Sequence, residues 1–110
     1  MSTLLKKRTK RLDLDKVRQK IRQRRRQILV HSYIYYELDD SIVSDNQWTK
    51  WALELVELQR KFPFIAEQVE FHEDFLDFDG STGYSLPYRD PRIAGTAEWL
   101  LKYHREKYDK

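Results

Sequence analysis

Several groups of side chains in this sequence are of types and spacings that could do chemistry. The first is cationic. Lys6, Lys7, Arg8, Lys10 and Arg11 precede Lys16, Arg18, Lys20, Arg22, Arg24, Arg25 and Arg26. Cations at this density can lie along a phosphate backbone, each contact releasing a counterion. Lys6, Lys7, Arg8, Lys10, Arg11, Arg18, Arg22, Arg24, Arg25 and Arg26 are therefore the expected contacts to nucleic acid or to a nucleoprotein partner. No base-reading motif accompanies them, so little sequence preference is expected. The plainer alternative is a solvated helix face behind a basic tail. The second group is aromatic: Tyr33, Tyr35, Tyr36, Trp48 and Trp51. Such rings can either grip a flat ligand or close a core.

Other candidates carry less. His72-Glu73-Asp74 with Asp77 and Asp79 supplies nitrogen and oxygen donors beside Gly80. Their spacing does not fit a calcium loop, and no metal site is expected. Gly80-Ser81-Thr82-Gly83 offers backbone N–H groups without the lysine of a phosphate-binding loop, so it reads as a turn that re-aims the chain. The three histidines have no supporting catalytic motif, and His31 and His104 fall on apolar stripes, so no catalytic residue is assigned.

These residues need elements to position them. Leu14, Val17, Ile21, Ile28, Tyr35 and Leu38 recur at helical spacing, interrupted by Arg24 and His31, and predict a helix from about 13 to 37. Ser44 with Gln47 forms an S-x-x-Q capping pattern. Behind it Trp48, Trp51, Ala52, Leu55, Leu58 and Phe62 repeat at helical spacing until Pro63. The short link 39–43 predicts an antiparallel hairpin. Residues 63–76 predict a short helix and 79–87 a loop. Asp90 followed by Pro91 predicts the start of a last helix with a stripe of Ile93, Ala97, Leu100, Leu101, His104 and Tyr108. The fold class is all-α in a single domain: a basic arm at 1–12, then one helical unit at 13–110. That unit comprises a hairpin at 13–63 and the remainder at 64–110. Its tryptophans are expected to dominate the core.

Composition narrows the classes. The net charge of +3 conceals twelve Lys/Arg against two Asp within residues 1–30, and nine against sixteen acids thereafter. This asymmetry favours an anionic partner at one end. There is no cysteine, hence neither a disulfide framework nor a thiolate zinc site. No apolar run approaches the ~18 residues of a membrane span, and the first residues do not read as a signal peptide. A cytoplasmic protein without membrane contact is expected.

The stretch Tyr35-Tyr36-Glu37-Leu38-Asp39-Asp40-Ser41-Ile42-Val43-Ser44-Asp45-Asn46-Gln47-Trp48-Thr49, followed by Leu55-Val56-Glu57-Leu58-Gln59-Arg60-Lys61-Phe62-Pro63, resembles the N-terminal subdomain of bacterial NAD-dependent DNA ligases. The likeness covers about residues 14–64. It implies a helical hairpin that grips the nicotinamide mononucleotide half of NAD. On that resemblance Tyr35 and Trp48 would hold the ring, with Tyr36 and Asp45 as further ligand contacts. Trp48 stands where the family has Tyr, Thr49 replaces the family's second Asp, and Ser41 replaces a loop proline. The Lys-x-Asp-Gly motif that accepts AMP in ligases does not occur in this sequence, so no enzymatic activity is expected of the chain. In length and layout it also resembles small bacteriophage proteins described as ligase-related. Three readings follow. The first is a binding protein of phage type that engages nucleic acid or its machinery through the basic helix, with no resident cofactor. The second is an inhibitor of a host enzyme such as a CRISPR nuclease, with residues 64–79 as an acidic mimic of nucleic acid. The third is a relic module for nicotinamide mononucleotide or NAD.

Overall fold

A computed structural model describes residues 2–108, with side chains from residue 13 onward. Four α-helices and no strand occur among the described residues: α1 (Ser2–Glu37), α2 (Asp45–Lys61), α3 (Pro63–Glu67) and α4 (Pro91–Tyr108). The protein is all-α, as its periodicity predicts. No helix is long and apolar enough to cross a membrane. Helix α1 is assigned from Ser2, so the boundary drawn at residue 12 corresponds to no break in the helix.

Helix α1 ends in local chemistry that the sequence half announces. Asp39 takes a left-handed φ of 51°, a conformation that Asp tolerates better than most residues. The N–H of Leu38 donates back to the carbonyl of Tyr33 at 3.3 Å, a six-residue closure, and the N–H of Asp40 to that of Ile34 at 3.1 Å, a closure one residue wider, so the last carbonyls of the helix find donors. The Asp40 carboxylate accepts from the Ser41 N–H, and α2 starts at once behind Ser44. As its capping pattern predicts, the Ser44 hydroxyl accepts from the Gln47 N–H at 3.1 Å. Asp45 places a negative charge in the first turn. At α4 the Asp90 carboxylate accepts from the Arg92 N–H at 2.9 Å, with Pro91 at the first helical position.

Helices α2 and α4 both pack on α1. The core between them is mostly aliphatic. Ile21, Ile28, Leu29, Ile34, Ala52, Leu55, Ile93 and Ala97 lose all contact with solvent, joined by Phe75 and Tyr88 from the irregular segments. Three expectations are corrected here. The tryptophans do not dominate this core: Trp48 and Trp51 are half-buried against it, and Trp99 is 63% exposed. The inward stripe of α1 runs Ile21, Arg25, Ile28, Ser32, while Leu14 and Tyr35 face outward. On α4, Tyr108 is exposed as well.

The third helix is also shorter than predicted, ending at Glu67 instead of 76. Beyond it the chain winds through turns, with Phe71 at φ 70°, while Val69 and Phe75 still point into the core. The carbonyls freed at this helix end need donors. Arg25 supplies them. Its Nη1 donates to the carbonyls of Ala66, Val69 and Glu70 at 3.2, 2.9 and 3.0 Å, and its Nε donates to Gln59 Oε1 at 2.9 Å. The guanidinium also lies over the Phe75 ring, 5.7 Å from its centre.

Candidate nucleotide pocket

The end of α1, the turn after it, the start of α2 and residues 81–83 enclose a cavity of about 220 Å³. Tyr35, Tyr36, Asp45 and Trp48, the four residues assigned to a nucleotide by the ligase resemblance, all line it. Helical spacing explains the meeting. Tyr35 and Tyr36 are in the last turn of α1, Asp45 and Trp48 in the first turn of α2, and the tight 38–44 turn folds the two ends together. Thr49, Ser41, Ser44 and Val43 complete that side.

The rings are held differently. Tyr36 stacks on the buried Tyr88 at 5.4 Å, meets the Tyr84 edge at 5.3 Å, and shares a 2.9 Å hydrogen bond with Thr82 Oγ1. Trp48 is steadied edge-on by Phe78 at 6.4 Å. Tyr35 touches Tyr36 edge-on but is 59% exposed, leaving a face free at the pocket mouth. The five-ring aromatic cluster therefore divides. Tyr33 turns away to donate to Glu98, and Trp51 packs with His31 and beneath Arg24.

The fourth wall comes from the Gly80-Ser81-Thr82-Gly83 loop, read from sequence as a turn only. It does turn the chain, with Gly80 at φ 86°, but it also lies directly on α1. A Cβ at Gly83 would sit 2.1 Å from Ser32 Oγ, so only glycine permits this approach. Ser32 is 2% exposed, and its hydroxyl has no hydrogen-bond partner. A buried, unsatisfied hydroxyl is costly and calls for a physical explanation. His31 Nδ1 is likewise buried without a partner, and burial pushes the His31 pKa down to about 4, so the ring is neutral at pH 7. Ser32 escaped the sequence reading, which took Thr82 and Gly83 as parts of a turn, because nothing local links a helical serine to a loop fifty residues away.

The basic face is not assembled as expected. Arg25 is 1% exposed and spent on carbonyls, its pKa pushed down to about 10 by burial against the opposing pull of Asp74. It is therefore withdrawn from the nucleic-acid contacts. Arg24 donates to Glu54 at 3.1 Å and to Gln27, and lies over Trp51, so it too is committed inside the protein. Arg18 is bound to Gln68 and Asp15. Arg22 and Arg26 both face Glu70 at 4.0 Å while keeping exposed surface. The side chains of Lys6, Lys7, Arg8, Lys10 and Arg11 lie outside the described residues. The acids of residues 64–79 stay exposed, two of them in surface contacts: Glu70 also receives Arg92, and Asp79 accepts from Ser81. No group of His, Asp and Glu among the described residues is placed to hold a metal ion.

Known proteins resemble this chain in sequence over the pocket-forming half. The sequence model of the DNA ligase-like, N-terminal NAD+-binding domain matches residues 14–68. DNA ligase of Lawsonia intracellularis is 42% identical over 50 residues, which are 46% of this chain and 7% of the ligase. DNA ligase of Pelotomaculum thermopropionicum is 37% identical over 53 residues, 48% of this chain and 8% of the ligase. That of Thermosipho africanus is 36% identical over 52 residues, 47% and 8% respectively. The chain thus spans less than a tenth of the length of these curated relatives, and the match falls on their small N-terminal domain alone. No solved structure matches. With half of its residues, both pocket-forming helix ends among them, matched by that model, the chain belongs to the family of DNA ligase-like N-terminal NAD+-binding domains.

Proposed function

We propose that this chain is a non-catalytic binding module whose pocket takes the nicotinamide half of a pyridine nucleotide. One observation carries the reading: Tyr35, Tyr36, Asp45 and Trp48 converge on a single cavity that also contains the buried, unpartnered Ser32 hydroxyl. A volume of about 220 Å³ lies below the roughly 300–1,000 Å³ usual for small-molecule sites, which suits one ring and its sugar better than a whole dinucleotide. The rings provide faces for the nicotinamide, and the hydroxyls of Ser41, Thr49, Ser81 and Thr82 provide partners for carboxamide and ribose. Trp48 and Thr49 stand where the resemblance has Tyr and Asp. A larger ring and an uncharged hydroxyl keep stacking and hydrogen bonding while removing one negative charge.

Titration calorimetry with nicotinamide mononucleotide and with NAD tests this. Both should release heat with one-to-one stoichiometry, and Trp48→Ala should weaken both at least tenfold. No heat with either ligand at millimolar concentration contradicts it.

Contact of α1 with nucleic acid is a second reading, favoured by the exposed Lys16 and Arg22 and by the +10 balance of residues 1–30. Its contacts are Lys6, Lys7, Arg8, Lys10, Arg11, Lys16, Arg22 and Arg26 rather than Arg18, Arg24 and Arg25. Binding of a fluorescent duplex that falls steeply with salt would support it, and salt-independent or absent binding would exclude it.

A further inference from the structure

Helix α4 carries a second face that the fold leaves uncovered. Its inner side presents Ile93, Ala97 and Leu101, all buried. On the opposite side Arg92, Gly95, Trp99, Tyr103 and Glu106 follow one another in steps of three and four, a single seam along the helix. All five are exposed, Trp99 at 63% and Tyr103 at 47%. The two rings stack on each other, 5.4 Å apart and 13° from parallel, and form one apolar plate of the kind that marks an interaction surface. Gly95 has no structural reason in the single chain. A Cβ there would meet nothing within 4 Å, and its backbone is ordinary right-handed helix. Glycine in an exposed helix interior weakens the helix relative to alanine. What it supplies is a gap one turn before the Trp99 ring. None of these residues lines the pocket at the end of α1.

We propose that this face is the contact between two copies of the chain, the α4 helices lying antiparallel across a twofold axis at Trp99. Trp99 is the midpoint of the seam, and the two halves are complements. Gly95 and Tyr103 stand four residues either side of it, about 6 Å along the helix, and Arg92 and Glu106 seven residues either side, about 10 Å. Reversing one helix against its twin sets the Tyr103 ring of each copy into the Gly95 gap of the other. It also sets Arg92 of each beside Glu106 of the other and Trp99 against Trp99, the reciprocity of an isologous interface. A parallel pairing would put gap on gap and like charges together. Within one chain Arg92 reaches Asp90 and Glu70 at 3.0 and 3.2 Å, yet 61% of its side chain stays exposed to receive a further carboxylate. The seam covers on the order of 400 Å² per copy, half the roughly 800 Å² of a standard interface, so association is weak, with a dissociation constant of about 0.1 mM. At the low concentrations of unfolding experiments the chain is a monomer.

Sedimentation equilibrium of the nuclease-treated full chain from about 10 µM to about 1 mM tests this, and should show monomer passing into dimer. Trp99→Ser should stay monomeric throughout. Gly95→Ala should act in two directions: it should raise the melting temperature of the monomer by about 3–5 °C and weaken the dimer roughly fivefold or more. Arg92→Glu and Glu106→Arg should each abolish association, and an equimolar mixture of the two should restore it, because every charge then meets its opposite. A chain that remains monomeric at the highest concentration overturns the proposal. So does association that survives Trp99→Ser, or a mixture of the two charge variants that fails to associate. Fluorescence quenching by single-stranded oligothymidylate in a monomeric chain, removed by Trp99→Ser, overturns it as well and gives the plate to stacked bases instead.

Discussion

Arg25 and Arg26 are neighbours in sequence, yet the structure gives them opposite roles, and substituting each by methionine exposes the difference. The Arg25 guanidinium donates to three main-chain carbonyls and to Gln59, and lies on Phe75. Methionine keeps the apolar volume but takes the donor from the carbonyls of Val69 and Glu70, while that of Ala66 keeps the Val69 N–H. Each carbonyl left without a donor costs about 1–3 kcal/mol. Releasing the desolvated guanidinium returns part of that loss, since burial already depresses its pKa to about 10. The net expectation is a loss of about 3 kcal/mol, a large share of the 5–15 kcal/mol typical of a domain. At this chain length it lowers the melting temperature by roughly 10–15 °C. Arg26 has only a 4.0 Å approach to Glu70 and keeps 38% of its side chain exposed, so Arg26→Met should stay within about 0.5 kcal/mol of the parent. Urea unfolding followed by circular dichroism at pH 7 measures both. Equal, small losses for the two variants would refute the view that Arg25 closes the end of α3.

Three further outcomes are expected. His31 has a folded pKa of about 4, below its ordinary 6.5, so the unfolded chain binds the extra proton first. Stability is therefore full above pH 6.5 and declines as pH falls to 4, by about 3 kcal/mol at most; His31→Gln, read by melting against pH, should flatten that slope. Gly83→Ala places a methyl 2.1 Å from Ser32 Oγ, so it should cost about 1–3 kcal/mol and weaken nicotinamide mononucleotide binding. Adding Ser32→Ala should recover part of both, because the closest remaining atom is then 3.1 Å away. Trp99→Ser should change unfolding by less than about 0.5 kcal/mol while Trp51→Ala costs about 2 kcal/mol, since only Trp51 packs against the core.

What could be read ahead of the structure was local. Ser44 with Gln47, Pro63 after Phe62, and Asp90 with Pro91 mark helix ends by chemistry that acts within one turn, and each stands where expected. The four pocket residues were legible through their likeness to ligases and through a turn too short to do anything but bring the two helix ends together. The losses were non-local. Over a long helix the choice between Arg24 and Arg25 as the inward residue is a rotation of about 100°, and few apolar residues near them fix it. The carbonyls that claim Arg25 lie more than forty residues away. Phe71 in the left-handed region ends any continuation of α3, and phenylalanine gives no advance sign of that conformation. Gly83 reads as an ordinary loop glycine until Ser32 is found beneath it.

The central claim is that one cavity, built from two helix ends and a glycine loop, receives a nicotinamide nucleotide. Amide chemical-shift mapping of the labelled protein during titration with nicotinamide mononucleotide tests it most directly. Saturable shifts should concentrate at residues 31–36, 41–49 and 81–83 and leave 64–76 unchanged. Shifts scattered along α1, or none at millimolar ligand, would contradict it.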